Sequence, residues 1–300
     1  MSPRFSSGIQ QLDQILGGGY LPGSMVMVVG ATGVGKTQLG MNFIHQGSSA
    51  ENARGAIIDL SSRGDSQNHT GYFERLFGQS LSTAGPLSTS PSTSSSQVDA
   101  EAVLLKERPA DVLEFLGYTG RRVMRSQMDV DQWHSWQSEM NRRTPQLFRF
   151  VYKHLTSGTR RFVVDGIEPT DEATDSLQLE LVEMIYHRML RKEHDWLARE
   201  VLREQFRANE AQVQQSTYDH TQSVAMVLVT TAETMLDRLI EQPLSSGDLA
   251  AGANTVILLG RRMVNDRMQR AMYVAKHRGS YCDTRVATFE IDDRGIQFRE

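Results

Sequence analysis

Eight residues, GATGVGKT at positions 30–37, combine the types and the spacing that phosphate chemistry needs. Gly30, Gly33, Gly35, Lys36 and Thr37 satisfy the pattern GxxxxGK[ST] between an apolar run, MVMVV, and a helical one, LGMNFI. Glycines let the backbone curl, so that amide N–H groups along Gly30, Ala31, Thr32, Gly33, Val34 and Gly35 face one anion. The following helix adds its positive N-terminus, Lys36 reaches the β- and γ-phosphates, and the Thr37 hydroxyl completes a magnesium shell. A second carboxylate is expected from RRFVVDGIEP, residues 160–169. Asp165 ends its apolar strand and is placed beside the loop, where it holds magnesium through water. Glu168, three residues on, lies outside that strand register and is a poor candidate base. The two motifs together predict an Mg2+–ATP site with metal ligands Thr37 and Asp165.

These groups need a sheet to hold them. MVMVVG is apolar almost without interruption, the texture of a strand covered on both faces. Before it, SGIQQLDQILGGGYLPGS reads as a short helix with Ile9, Leu12, Ile15 and Leu16 on one face, ended by Gly17–Gly19. The helix opened by Lys36 is expected to run to about His45 and stop before Gly47. GAIIDL (55–60) and SVAMVLVTTAET (223–234) supply further buried strands. AEAVLLKERPADVLEFLGY reads as helix, proline break and helix, and SWQSEMNRRTPQLFRFVYKHLTSG as another helix. The tail, NTVILLGR, RAMYVAKHRGS and RVATFEIDDRGIQFRE, alternates strands and turns, with Asp292–Gly295 a hairpin signal. Strands first separated by helices and then consecutive predict an α/β fold, its sheet predominantly parallel with an antiparallel C-terminal edge.

Two segments interrupt this pattern. Residues 80–96 hold 11 Ser or Thr, two Pro and no charge; they bury too little to offset ordering and read as a flexible insertion near 80–98. Residues near 174–218 read as a long helical insertion, apolar at first and polar in REVLREQFRANEAQVQQ. It is either an exposed, partner-binding arm or packed on its own domain. One domain over 1–300 is simpler than two.

The 300 residues include 39% hydrophobic ones, enough for a substantial core. Lys plus Arg number 32 against 36 Asp plus Glu, a formal charge of -4, so no global attraction to nucleic acid or an acidic membrane is expected. The lone Cys282 excludes an intramolecular disulfide and argues against a thiolate-rich metal site. The opening MSPRFSSG lacks the apolar core of a signal peptide and no segment reaches spanning length, so the expected location is cytoplasmic.

Residues 4–44, RFSSGIQQLDQILGGGYLPGSMVMVVGATGVGKTQLGMNFI, resemble the KaiC-like branch of the RecA superfamily of P-loop ATPases. VAKHRGS and DDRGIQF resemble that family's basic segment and terminal turn and strand. The resemblance implies a RecA-like core with ATP between subunits of a ring, a hexamer in the usual case. It also implies that a neighbouring subunit brings Lys276 and Arg278 to the γ-phosphate. The family commonly places paired glutamates after the second strand to orient or deprotonate water. Here Ser61 and Ser62 stand at those positions, and a serine hydroxyl is a poor base near neutral pH. Asp59, on the same strand, and Asp65, in the following turn, are the substitutes within reach.

Three functions follow. The leading one is a regulatory or assembly protein whose ATP state controls homo-oligomerisation or partner binding, with slow Mg2+-dependent hydrolysis. The second is a RecA-like recombination or repair ATPase with arginines of RRTPQLFR and GRRMVNDRMQR near nucleic-acid phosphates; the acidic balance weighs against it. The third is a non-catalytic scaffold binding a protein through the helical insertion.

Overall fold

The computed structural model describes residues 4–62, 68–85, 100–104, 109–117, 124–168, 176–241 and 248–299. Ten strands form one sheet: β1 (Met25–Gly30), β2 (Ala56–Asp59), β3 (Thr83–Ala84), β4 (Val112–Glu114), β5 (Arg161–Ile167), β6 (Val224–Thr230), β7 (Thr255–Val264), β8 (Arg267–His277), β9 (Ala287–Asp292) and β10 (Gly295–Phe298). Their order is β10-β9-β8-β7-β1-β6-β5-β2-β4-β3. Every pairing from β3 across to β7 is parallel, and β7 through β10 pair antiparallel. The mostly parallel α/β sheet with an antiparallel C-terminal edge is therefore present.

Alternation along the strands explains their continuous apolar texture. Met25, Met27 and Val29 of β1 enter one core, while Val26 and Val28 enter the other. β6 divides the same way, Ala225, Val227 and Val229 against Val224, Met226 and Leu228. Each strand is thus covered on both faces, as a parallel sheet requires.

On one face lie α1 (Gln10–Ile15), α2 (Lys36–Ala50) and α3 (His69–Phe77). α1 buries Ile9, Leu12 and Leu16, the face read from their spacing. α2 runs past the stop expected before Gly47. That glycine is a point of close packing: a Cβ would meet Arg161 Cδ at 3.0 Å. Arg161 is itself buried, donating to Glu51, to the Ser6 and Phe43 carbonyls, and lying over the Phe5 and Phe43 rings.

The other face carries α4 (Ala100–Leu104), α5 (Val130–Thr156), α6 (Leu177–Glu183), α7 (His194–Leu202) and α8 (Phe206–Val213). After Pro109 the chain forms strand β4 where a helix was expected. Asp111 fixes it, accepting from Arg54 and from the Ser82 amide and hydroxyl, and Val112 and Leu113 are buried between neighbouring strands. α5 starts at a capping box made by Asp129 and Gln132. The stretch read as one long helix is broken: a π-helical turn, Met184–Leu190, follows α6, and a 3-10 turn, Arg203–Gln205, separates α7 from α8. It is not a free arm, because Leu197, Ala198, Val201, Leu202, Phe206 and Val213 are buried in the core. In the Ser/Thr-rich stretch, Thr83–Ala84 pair with β4 as the sheet edge, and residues 86–99 lie outside the described ones. Two further short helices, α9 (Leu236–Glu241) and α10 (Asp248–Gly252), lie between β6 and β7. No helix among the described residues is long and apolar enough to cross a membrane.

Candidate phosphate site

β1 ends at Gly30 in mid-sheet and α2 begins at Lys36, so the loop between them sits over the carboxyl end of a strand flanked by β6 and β7. Its conformation needs glycine at two points, Gly33 at φ 79° and Gly35 at φ 114°. At Gly35 a Cβ would also press on Ile291 Cδ1 of β9, at 2.9 Å. The C-terminal edge of the sheet thereby closes against the loop.

Lys36 is 7% exposed, and its ammonium donates to the carbonyls of Gly30 (2.8 Å) and Ala31 (2.9 Å). Burial pulls its pKa down to about 8, against the opposing charge of Asp165. The Thr37 hydroxyl donates to Asp165 Oδ2 at 3.0 Å, so the two predicted metal ligands meet. Asp165 Oδ1 accepts from the Gly166 amide at 2.7 Å.

Asp59 is the register partner of Asp165 across β2 and β5, and both are buried. Its Oδ1 accepts from the Ser61 amide at 2.8 Å. Burial raises the Asp59 carboxyl, with Asp165 adding to the rise, and His69 and the Ser61 hydrogen bonds opposing it. Ser61 and Ser62 follow β2 after Leu60, and Asp65 lies outside the described residues.

His69 was not found from the sequence. It opens α3, is 4% exposed, and places Nε2 3.2 Å from Asp165 Oδ2 and Nδ1 3.8 Å from Asp59 Oδ2. Burial works to lower its pKa. The hydrogen bond to Asp165 and the charges of Asp165, Asp59 and Glu114 outweigh that, so it stands above the ordinary value. A single histidine in a polar segment carries no sequence signal of this position. Arg270 was also missed. It lies on the same face of β8 as buried Met272 and Val274, and its guanidinium is 3.5 Å from the Gly33 carbonyl, a long contact. Only the register of β8 reveals it.

Lys276 and Arg278 lie at the opposite end of the sheet. Lys276 is paired with Val256 near the start of β7 and donates to the Ala250 and Ala251 carbonyls, and Arg278 donates to Ala251. They cap the C-terminus of α10 and do not reach the phosphate loop of their own chain.

Among the described residues no group of three or more His, Cys, Asp or Glu is arranged to hold a metal. Magnesium does not need one. It keeps several waters and takes one or two protein oxygens besides the phosphates, which the Thr37–Asp165 pair fits.

Strand, glycine loop, buried lysine and a hydroxyl–carboxylate pair define a phosphate-loop domain of the RecA type. Residues 5–78 match the family model described as "ATPase: KaiC". A circadian clock oscillator protein, KaiC 1 of Synechocystis, is 48% identical over 44 residues, 15% of this chain. The DNA repair protein RadA of Haemophilus influenzae is 53% identical over 38 residues, 13% of this chain. Each match spans 8% of the relative's own length. A KaiC-like protein of the archaeon Pyrococcus horikoshii shares the fold over 99% of both chains, with a TM-score of 0.52 and 16% identity. Over residues 5–78 the chain is similar to the KaiC family of ATPases, and over its whole length it shares the fold of a KaiC-like protein.

Proposed function

We propose that this domain binds Mg2+–ATP at residues 30–37, and that nucleotide occupancy controls its association with further copies of itself or with a partner protein. The observation that carries this reading is the Thr37–Asp165 hydrogen bond beside buried Lys36. Backbone amides of the loop and the α2 N-terminus receive the phosphates, and Lys36 exchanges its two carbonyl partners for phosphate oxygens. Magnesium, when bound by Thr37 and Asp165, offsets phosphate charge.

Hydrolysis is slow in this scheme. Ser61 and Ser62 offer no carboxylate, and Asp59 is the substitute nearest the site. Lys276 and Arg278 act from a neighbouring subunit: their placement far from their own loop supports use in trans, where two cations stabilise charge in phosphoryl transfer. A hexameric ring is the assembly the family resemblance favours.

The test measures ATP binding, ATP turnover and oligomer size together for the unmodified chain, Lys36→Ala and Asp59→Ala. Binding with low turnover is expected, both lost in Lys36→Ala, and turnover alone falling about tenfold or more in Asp59→Ala, in line with a removed base. Failure of the unmodified chain to bind ATP overturns the proposal, and turnover stimulated by DNA would favour the recombination alternative.

A further inference from the structure

α3 does more than cover the sheet. Asn68 caps it by accepting from the Gly71 amide at 2.7 Å, Phe73 is buried against the α2 face, and Leu76 lies against Gly295 at the start of β10. The helix is therefore fixed at three points besides its first residue. That first residue, His69, points inward between Asp59, which ends β2, and Asp165, two residues before the end of β5.

The oxygen it touches matters. Asp165 Oδ2 accepts from Thr37 at 3.0 Å and lies 3.2 Å from His69 Nε2, while Oδ1 is engaged by the Gly166 amide. Both oxygens are thereby tied, and the carboxylate has one orientation. The other imidazole nitrogen faces Asp59 at 3.8 Å, beyond hydrogen-bond length but close enough to set the charge that Asp59 meets. One ring separates the carboxylate assigned to metal from the one assigned to water.

We infer that His69 is a positioning residue of the phosphate site: through Nε2 it holds Asp165 in the orientation that serves magnesium. Its hydrogen-bond contact in the site is with Asp165, and the role inferred for it is exercised through that carboxylate. This rests on the Mg2+–ATP reading above and adds a residue outside both motifs. Partners that orient a metal-holding group commonly change metal affinity 10–100-fold when removed.

Glutamine and asparagine separate this role from a merely structural one. Glutamine carries its amide nitrogen about where Nε2 lies and keeps a donor on Asp165; asparagine ends near Nδ1 and does not. Binding of a fluorescent ATP analogue is titrated with magnesium for the unmodified chain, His69→Gln and His69→Asn, with a parallel series in EDTA. Thermal unfolding without nucleotide is followed for all three. His69→Asn is expected to need at least about tenfold more magnesium for half-maximal binding, with EDTA binding unchanged, and His69→Gln to stay within about threefold of the unmodified chain, as a retained donor implies. Equal magnesium requirements in all three proteins, or an equal loss in both variants, would overturn the role of His69. An unmodified chain that binds no analogue would instead overturn the underlying Mg2+–ATP reading.

Discussion

Lys36 couples the site to pH in two opposite directions. Its pKa is about 8 in the folded chain against 10.5 as the ordinary value, so between those values the unfolded chain binds more protons. Stability attributable to this lysine should rise as pH climbs from about 8 toward 10.5. Nucleotide binding should go the other way, because phosphate pairs with the ammonium and a neutral Lys36 must first take up a proton. Affinity is expected to be flat below about pH 8 and to weaken by up to about tenfold per unit above it. Isothermal titration in buffers of different ionisation enthalpy would show that proton uptake. Lys36→Met should abolish the stability slope; a persistent slope would assign it to another group.

Among the elements, the ends of β2 and β5 decide where Asp59 and Asp165 stand. Gly166, at φ 88°, allows β5 to pass against Ser61, since a Cβ there would collide with the Ser61 backbone nitrogen. The register of β5 shifts in this stretch, between Val164 and Ile167. Gly166→Ala should therefore cost roughly 2–4 kcal/mol, combining backbone strain and overpacking, as read by urea denaturation. Gln178 secures the same place, donating to the Leu60 and Gly166 carbonyls and accepting from the Glu168 amide. Gln178→Leu removes those bonds and should cost at least about 2 kcal/mol, and weaken ATP binding without altering any phosphate contact. The phosphate loop, its strand, Asp165 and the C-terminal hairpins were legible because local spacing and apolar texture carry them. β4 was not, since a three-residue strand held by Asp111 has no period to read. Nor was the broken helix after Ser176, where a π-helical turn and Arg203, at φ 49°, interrupt one apolar pattern. His69, Arg270 and Gln178 depend on register and on long-range approach, which no window of sequence contains.

For the whole molecule, nucleotide and assembly are linked in the proposed scheme. A ligand bound only at the subunit interface, at 100 times its Kd, stabilises the assembled form by about 2.7 kcal/mol per site. The unmodified chain should therefore grow in mass on light scattering when ATP and magnesium are added. Lys276→Ala with Arg278→Ala should lose that growth together with the interfacial part of the nucleotide affinity, whereas unchanged growth would remove these cations from the interface. A last consequence concerns time. β1 carries the loop, yet its two neighbours are β6 and β7, with Met25 opposite Ala225 and Val26 opposite Thr255. On the ribosome the phosphate motif emerges early, but its strand stays unpaired until residues some two hundred positions later arrive. Loop closure over that distance is slow. Nascent chains arrested before residue 224 should fail to bind ATP, and those carrying residues through 264 should begin to. The stretch readable first along the sequence is among the last to acquire its structure.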